Sequence, residues 1–193
     1  NMQKPIQKKS AILPQRYILY VGTRYPYKNF DRFIKAFSLL SSKDKNLYVI
    51  CTGSPFSMNE KNLFESLNIS RKVMQIQASD ELLYTLYNQA EAFVFPSLYE
   101  GFGIPILEAY ACHCPVIISN TSCFPEIASD AAAYFNPYSE MEIADTIANV
   151  IYNQTLRAEL IYKGSERLKL YSWEKAALQT KEVYQKVMNN KII

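Results

Sequence analysis

Residues Phe93–Ile117 read FVFPSLYEGFGIPILEAYACHCPVI. Within this stretch and the residue before it, Ala92–Phe95 is a continuous apolar run stopped by Pro96, the pattern of a strand buried on both faces. Gly101 and Gly103 break the pattern, and Pro105 suits the first turn of a helix. The apolar residues from about Ile106 to Cys112 supply that helix, and Val116–Ile118 reads as another strand. A strand, a crossover helix and a second strand in that order make a parallel pair, because parallel neighbours cannot be joined by a hairpin.

The same alternation extends in both directions. Upstream, Tyr17–Val21, Leu47–Cys51 and Val73–Ile76 are predicted strands, and downstream Ala133–Phe135 is a sixth. Between them, Phe30, Phe33, Ile34, Phe37 and Leu40 repeat at helical spacing, with Asn29 placed to cap the helix. A helix over about Asn59–Leu67 turns Leu63, Phe64 and Leu67 inward, and one capped by Ser79 or Asp80 carries Leu82, Leu83, Leu86 and Tyr87. Past Asn136-Pro137 only helices follow. Ser139 and Glu142 have capping-box spacing ahead of an inward stripe of Ile143, Ile147, Val150 and Ile151. Helices are also expected over Leu156–Leu168 and Ser172–Met188, with Trp173 as a core anchor. The expected fold is α/β: a Rossmann-like open parallel sheet of about six strands, with helices on both faces and additional C-terminal helices. Residues 16–193 form one domain in this reading, and residues 1–15, with the basic stretch Lys4–Lys9, a linker or N-terminal extension.

Bulk composition narrows the function. A chain of 193 residues, 49% hydrophobic and 20% charged, can bury a sizeable core. A net charge of +3 leaves no nucleic-acid footprint, although a local basic patch for a small anion remains open. No run of about 18 apolar residues occurs, and the N-terminus lacks a signal-peptide segment, so a cytoplasmic location is expected. Cys51, Cys112, Cys114 and Cys123 form no Cys-x-x-Cys pair and read as reduced thiols; Cys112-His113-Cys114 straddles a helix end and a strand start, a poor zinc spacing.

In an open parallel sheet, ligands bind beyond the carboxyl ends of the strands, where helix N-termini present unpaired N–H groups. Four of the five glycines, Gly22, Gly53, Gly101 and Gly103, fall in such turns, yet no Gly-x-Gly-x-x-Gly occurs. Gly101 and Gly103 would let main-chain N–H groups approach a phosphate, and the following helix start adds positive potential. Glu100 and Glu108 flank this cluster. On one continuous helix they would stand about 12 Å apart and be rotated by roughly 80°, so a loop must fold back before the helix if both are to face one ligand. Carboxylates repel phosphate and suit hydroxyls, so the order acid, N–H cluster, acid fits a diphosphate between two hydroxylated rings. Lys28 lies beside a helix start, where a cation is unfavourable unless an anion sits there too. Arg24, in the same turn, offers a planar fork for phosphate oxygens.

Three segments, VGTRYPYKNF at Val21–Phe30, Phe93–Ile117 itself, and FPEIASDAAAYFNP at Phe124–Pro137, resemble the nucleotide-sugar-binding half of a retaining glycosyltransferase of family 4, the group 1 glycosyl transferases with two Rossmann domains. The likeness runs from about Tyr17 to Met188, and Phe93–Ile117 holds the family's Glu-x7-Glu signature. The resemblance implies one half of a GT-B fold, the C-terminal, donor-binding one. It implies that Glu100 contacts hydroxyls of the donor hexose and Glu108 those of the nucleotide ribose. The amides of Phe102, Gly103 and Ile104 would hold diphosphate and sugar, Lys28 would neutralise the leaving phosphate, and Gly22, Thr23 and Arg24 would line the same site. No metal and no cofactor beyond the nucleoside-diphosphate sugar are expected.

The sequence departs from the family's pattern at four places. Thr23 stands where many members have Arg, which leaves neutralisation to Lys28 and Arg24. His113 replaces the glycine before the fifth strand, and near Gln75–Ser79 a customary glycine is missing, so Gln77 is the candidate contact to the base. The acceptor-binding N-terminal domain is absent from this chain, which implies that the chain alone binds nucleotide sugar without transferring it. That domain is the expected partner and the expected route of any peripheral membrane contact. A non-catalytic nucleotide-sugar-binding module of the same fold is the competing reading, and a nicotinamide-dependent oxidoreductase is disfavoured by the missing glycine fingerprint.

Overall fold

The computed structural model describes residues 13–189, so the basic stretch Lys4–Lys9 and most of the expected linker lie outside the described residues. Six parallel strands, β1 (Tyr17–Tyr20), β2 (Tyr48–Thr52), β3 (Val73–Ile76), β4 (Ala92–Phe95), β5 (Val116–Ser119) and β6 (Ala133–Phe135), form one sheet in the order β3-β2-β1-β4-β5-β6. The chain winds outward from β1 to one edge, returns, and winds from β4 to the other. The loops after β1 and β4 therefore leave neighbouring strands in opposite directions and open a crevice at the carboxyl rim.

The strands are buried on both sides. β1, β4 and β5 carry no exposed residue, and alternate positions feed two separate cores, as a period of two requires. Ile18, Tyr20, Val49, Cys51, Ala92 and Val94 pack on Phe33, Ile34 and Phe37 of α1 (Phe30–Lys43) and on Ile143 and Ile147 of α6 (Glu140–Tyr152). On the opposite face Tyr17, Leu19, Phe93, Phe95 and Ile118 meet α3 (Asp80–Gln89), α4 (Ile104–Ala111) and α5 (Phe124–Ala128). Each such aliphatic or aromatic side chain withdrawn from water contributes about 1.5–3 kcal/mol, so these two layers hold the rim loops on a rigid base.

Helix starts follow the expected chemistry with two corrections. Of the two candidates for α3, Ser79 is the cap, accepting from Leu82 N. Ser139 accepts from Glu142 N, but the Glu142 carboxylate receives Asn136 N at 2.7 Å instead of closing the reciprocal box. A complete box does occur at α2 (Met58–Ser66), between Ser57 and Glu60. Asn29 precedes α1 as expected, yet its backbone is left-handed at φ 56° and its side chain makes no cap. Its Nδ2 instead donates to Pro137 O at 2.8 Å and its Oδ1 accepts from Arg32 Nη1 at 3.0 Å, tying the first loop to the end of β6.

Trp173 corrects the other expectation. It opens α8 (Trp173–Asn189) but is 83% exposed, and no residue of that helix is buried. Trp173, Leu178, Tyr184 and Val187 are all exposed, with no element to cover them among the described residues. α7 (Gln154–Leu168), by contrast, packs closely on α4 through Gly164, where an added Cβ would lie 2.5 Å from Tyr110 Cδ1. Tyr110 cannot swing aside: it is buried and its hydroxyl donates to Ala131 O at 3.2 Å. Gly164→Ala is expected to lower stability by about 1–3 kcal/mol through overpacking. A chemical-denaturation midpoint unchanged from that of the parent chain would show that α7 shifts away freely.

Candidate functional site: the rim of β1, β2 and β4

After β1 the backbone turns left-handed at Gly22, φ 120°, and makes one 3-10 turn over Pro26–Lys28, with Pro26 supplying the φ such a start needs. Lys28 N donates to Tyr25 O at 2.8 Å, which closes the turn. The loop after β4 is stitched to it: Leu98 N donates to Tyr27 O at 2.8 Å, and Thr121 Oγ1 donates to Leu98 O at 3.2 Å. Across that seam Lys28 Nζ stands 2.5 Å from Glu100 Oε1, both side chains about six-sevenths buried, at 14% and 15% exposure. The ammonium also lies over the rings of Phe95 and Tyr27, at 5.2 and 5.4 Å from their centroids, an arrangement that favours a cation at this position.

The backbone of Glu100 is clamped from the loop after β5. The Ser122 hydroxyl accepts from Glu100 N at 3.1 Å and donates to Glu100 O at 2.8 Å; the Cys123 thiol reaches Glu100 O and Phe102 O at 3.3 and 3.2 Å. Gly103 then takes φ 98° as the residue preceding α4. A Cβ there would sit 3.1 Å from Ile106 Cδ1 and 3.3 Å from Phe124 Cε1, so the close approach of loop to helix requires glycine. Among the described residues, the amides of Phe102, Gly103 and Ile104 have no protein acceptor, and they surround the positive end of α4. On the second turn of α4, Glu108 accepts a 3.0 Å hydrogen bond at Oε2 from Tyr87 OH.

The loop after β2 completes the rim. Gly53, at φ 100°, presses against the first loop so closely that a Cβ would be 2.8 Å from Gly22 O, and Gly22 N donates to Thr52 Oγ1 at 3.4 Å. Thr23 contributes its carbonyl, which accepts from Tyr20 OH at 2.7 Å. Beside Gly53 lies a cavity of about 480 Å³ lined by Thr52, Ser54, Pro55, Gln77 and Leu83. Gln77 thus lines this cavity, at the edge of the rim occupied by Gly22 and Gly53.

Arg24 departs from its expected place. Its guanidinium donates to Glu60 Oε1 at 2.5 Å and to the carbonyls of Ser54 and Pro55 at 2.6 and 3.0 Å, and it lies over the Phe56 ring at 4.9 Å. The side chain is only 6% exposed. Burial opposes ionisation of Glu60, but the N–H and O–H donors of Ser57 together with Arg24 outweigh it and hold the carboxyl below its ordinary value. Nε and Nη2 of the fork are therefore spent on fastening the loop after β2, Nη1 is buried without a partner among the described residues, and Lys28 is the cation beside Glu100.

Sequence reasoning missed Ser122, Tyr87 and the Ser57–Glu60 box. Tyr87 lies within an apolar helical stripe, which conceals the function of its hydroxyl; Ser122 sits in a loop with no glycine to mark it. The Ser57-x-x-Glu60 spacing was a readable signal. His113 has φ 55°, a left-handed position just past α4, which accounts for a glycine being customary there. Among the described residues no three His, Cys, Asp or Glu side chains gather into a metal-binding group.

The family model described as glycosyl transferases group 1 matches residues 2–167. This chain belongs to that family. Among curated relatives of this group 1 glycosyl transferase, it is 32% identical over 184 residues to O-antigen chain mannosyltransferase B of Escherichia coli, covering 93% of this chain and 48% of that protein. It is 36% identical over 151 residues to O-antigen chain mannosyltransferase RfbU of Salmonella typhimurium, covering 78% of this chain and 42% of the relative. The chain thus spans about half the length of these relatives. Among solved structures, sucrose-phosphate synthase from Thermosynechococcus elongatus superposes with a TM-score of 0.79 at 24% identity, over 91% of this chain and 46% of the other. The C-terminal domain of a group 1 family protein, LpcC, from Francisella tularensis superposes with a TM-score of 0.71 at 24% identity, over 82% of this chain and 87% of that domain. The six-stranded sheet with helices on both faces has the Rossmann-like architecture of one half of a GT-B fold, as expected from the sequence.

Proposed function

We propose that this chain is the donor-binding, C-terminal half of a retaining family 4 hexosyltransferase, which moves a hexose from a nucleoside-diphosphate sugar to a glycan or lipid-linked acceptor. The observation that carries the reading is the Lys28–Glu100 pair at the switch point between β1 and β4, beside the unpaired amides at the start of α4. Those amides and Lys28 take the diphosphate. When the bond between the sugar and the departing phosphate oxygen breaks, negative charge grows on that oxygen, and a preorganised ammonium with N–H dipoles stabilises it without reorganisation. Glu100 accepts from a hydroxyl of the hexose and Glu108 from the ribose, while Gln77 and the cavity beside Gly53 receive the base. Gly22 and Thr23 border the phosphates through their backbone.

The mannosyltransferases among the relatives favour mannose as the hexose. The other half of the enzyme binds the acceptor and makes any membrane contact, at the cytoplasmic face. This half alone binds without transferring. No described helix is long and apolar enough to cross a membrane. A thermal-shift panel of UDP, GDP, ADP and their sugars on the full-length protein tests the reading. One base should raise the melting temperature in a concentration-dependent way, because a ligand that binds only the folded state stabilises it by mass action. Absence of any shift at millimolar concentration would overturn it.

A further inference from the structure

The carboxylate of Glu108 is held by a side chain from another helix that has no other role in the proposed site. Tyr87 OH, on α3, donates to Glu108 Oε2 at 3.0 Å across the α3–α4 interface. The tyrosine ring is 1% exposed and packs edge-on against Phe93, with centroids 5.4 Å apart, so it has a single resting place. Burial, and then the adjacent Glu108 carboxylate, push the phenol far above its ordinary pKa, so the proton stays on Tyr87 and the hydroxyl is the donor. Among the described residues Glu108 Oε1 takes no hydrogen bond, and the side chain as a whole is half-buried. A glutamate on a short helix has three rotatable bonds; one fixed donor on Oε2 removes most of that freedom and leaves Oε1 as the unpartnered acceptor.

We propose that Tyr87 is the positioning residue that aims Glu108 at the ribose hydroxyls of the donor nucleotide, so that ribose recognition depends on an α3 residue that does not touch the ligand. This rests on the ribose role given to Glu108 above. The contribution is one of preorganisation: without the phenol the carboxylate must be ordered at the moment of binding, and its affinity for hydroxyl groups falls.

The test compares binding of UDP, GDP and ADP with that of their 2′,3′-dideoxy counterparts to the full-length protein, by calorimetric titration, using the base that binds most tightly. The parent protein should prefer the ribonucleotide by about ten- to a hundredfold, the range for hydrogen bonds to a charged group. Tyr87→Phe, which keeps the ring and removes one oxygen, should reduce that preference to within about threefold and leave the dideoxy affinity unchanged. That unchanged affinity reports an intact fold. Glu108→Gln should lose the same preference, and Tyr87→Phe added to it should change nothing more, since two residues acting through one contact are not additive. If Tyr87→Phe keeps the full preference, or weakens both ligand forms equally, the positioning role is wrong, and the ribose role of Glu108 is decided by Glu108→Gln alone. If the parent protein shows no preference, the Glu108 reading fails and the inference falls with it.

Discussion

Replacing Lys28 with alanine is expected to slow transfer by the full-length protein by about a hundred- to a thousandfold at saturating donor, the usual effect of removing one preorganised group from a developing negative charge. Lys28 is the cation 2.5 Å from Glu100, in a seam where the Arg24 fork is committed to Glu60 and two carbonyls. Lys28→Arg should restore little, because a planar guanidinium cannot occupy the point position of the ammonium between Glu100 and the Phe95 ring. Glu100→Gln keeps shape and removes charge, so it should also lower kcat while binding of the free nucleoside diphosphate persists. Lys35, nearly half exposed and 3.7 Å from Glu140, is the comparison: its alanine variant should transfer at the parent rate. Initial rates across a donor titration separate kcat from KM. A Lys28→Ala protein within a few fold of the parent would remove the leaving-group role.

The second large effect concerns backbone rather than charge. Gly53→Ala should destabilise the fold by about 2–4 kcal/mol, combining a left-handed φ of 100° with a Cβ 2.8 Å from Gly22 O, a main-chain atom that cannot rotate away. Gly22→Ala shares the positive φ, 120°, but meets nothing within 4 Å, so only the conformational strain of about 1–2 kcal/mol applies. Gly101→Ala has neither handicap and should be close to neutral. Guanidinium unfolding of the three variants should therefore rank them Gly53, Gly22, Gly101 from most to least damaged. Equal losses would mean that the contact between the first two loops relaxes without cost.

β1, β4 and β5 were legible in the sequence because a strand buried on both faces must be apolar at every position, a pattern that few alternatives share. The rim could be located because glycines and acids stand at the ends of those strands. Trp173 was misread because amphipathic spacing says that one face of a helix is apolar, not that another element lies against it. Asn29 is of the capping type at the capping position, but a long-range bond to Pro137 and a bond from the Arg32 guanidinium three positions on took its side chain instead. Arg24 could be placed near the rim, yet its direction was set by Glu60, thirty-six positions away along the chain, and by the Phe56 ring. Side-chain aim of this kind depends on partners that only the folded topology brings within reach. Tyr87 and Ser122 belong to the same class.

β1 pairs with β2 through four residue positions but with β4 through only two, Ile18 with Ala92 and Leu19 with Phe93, after which the strands part. The two loops that carry Lys28 and Glu100 thus spring from a fork in the sheet, and the ammonium and carboxylate act as its clasp. A phosphate received by the Lys28 ammonium and the amides at the start of α4 leaves every rung of the ladder in place. Docking should consequently register as local loop protection in hydrogen exchange, with the amides of β1 and β4 as slow after the ligand as before.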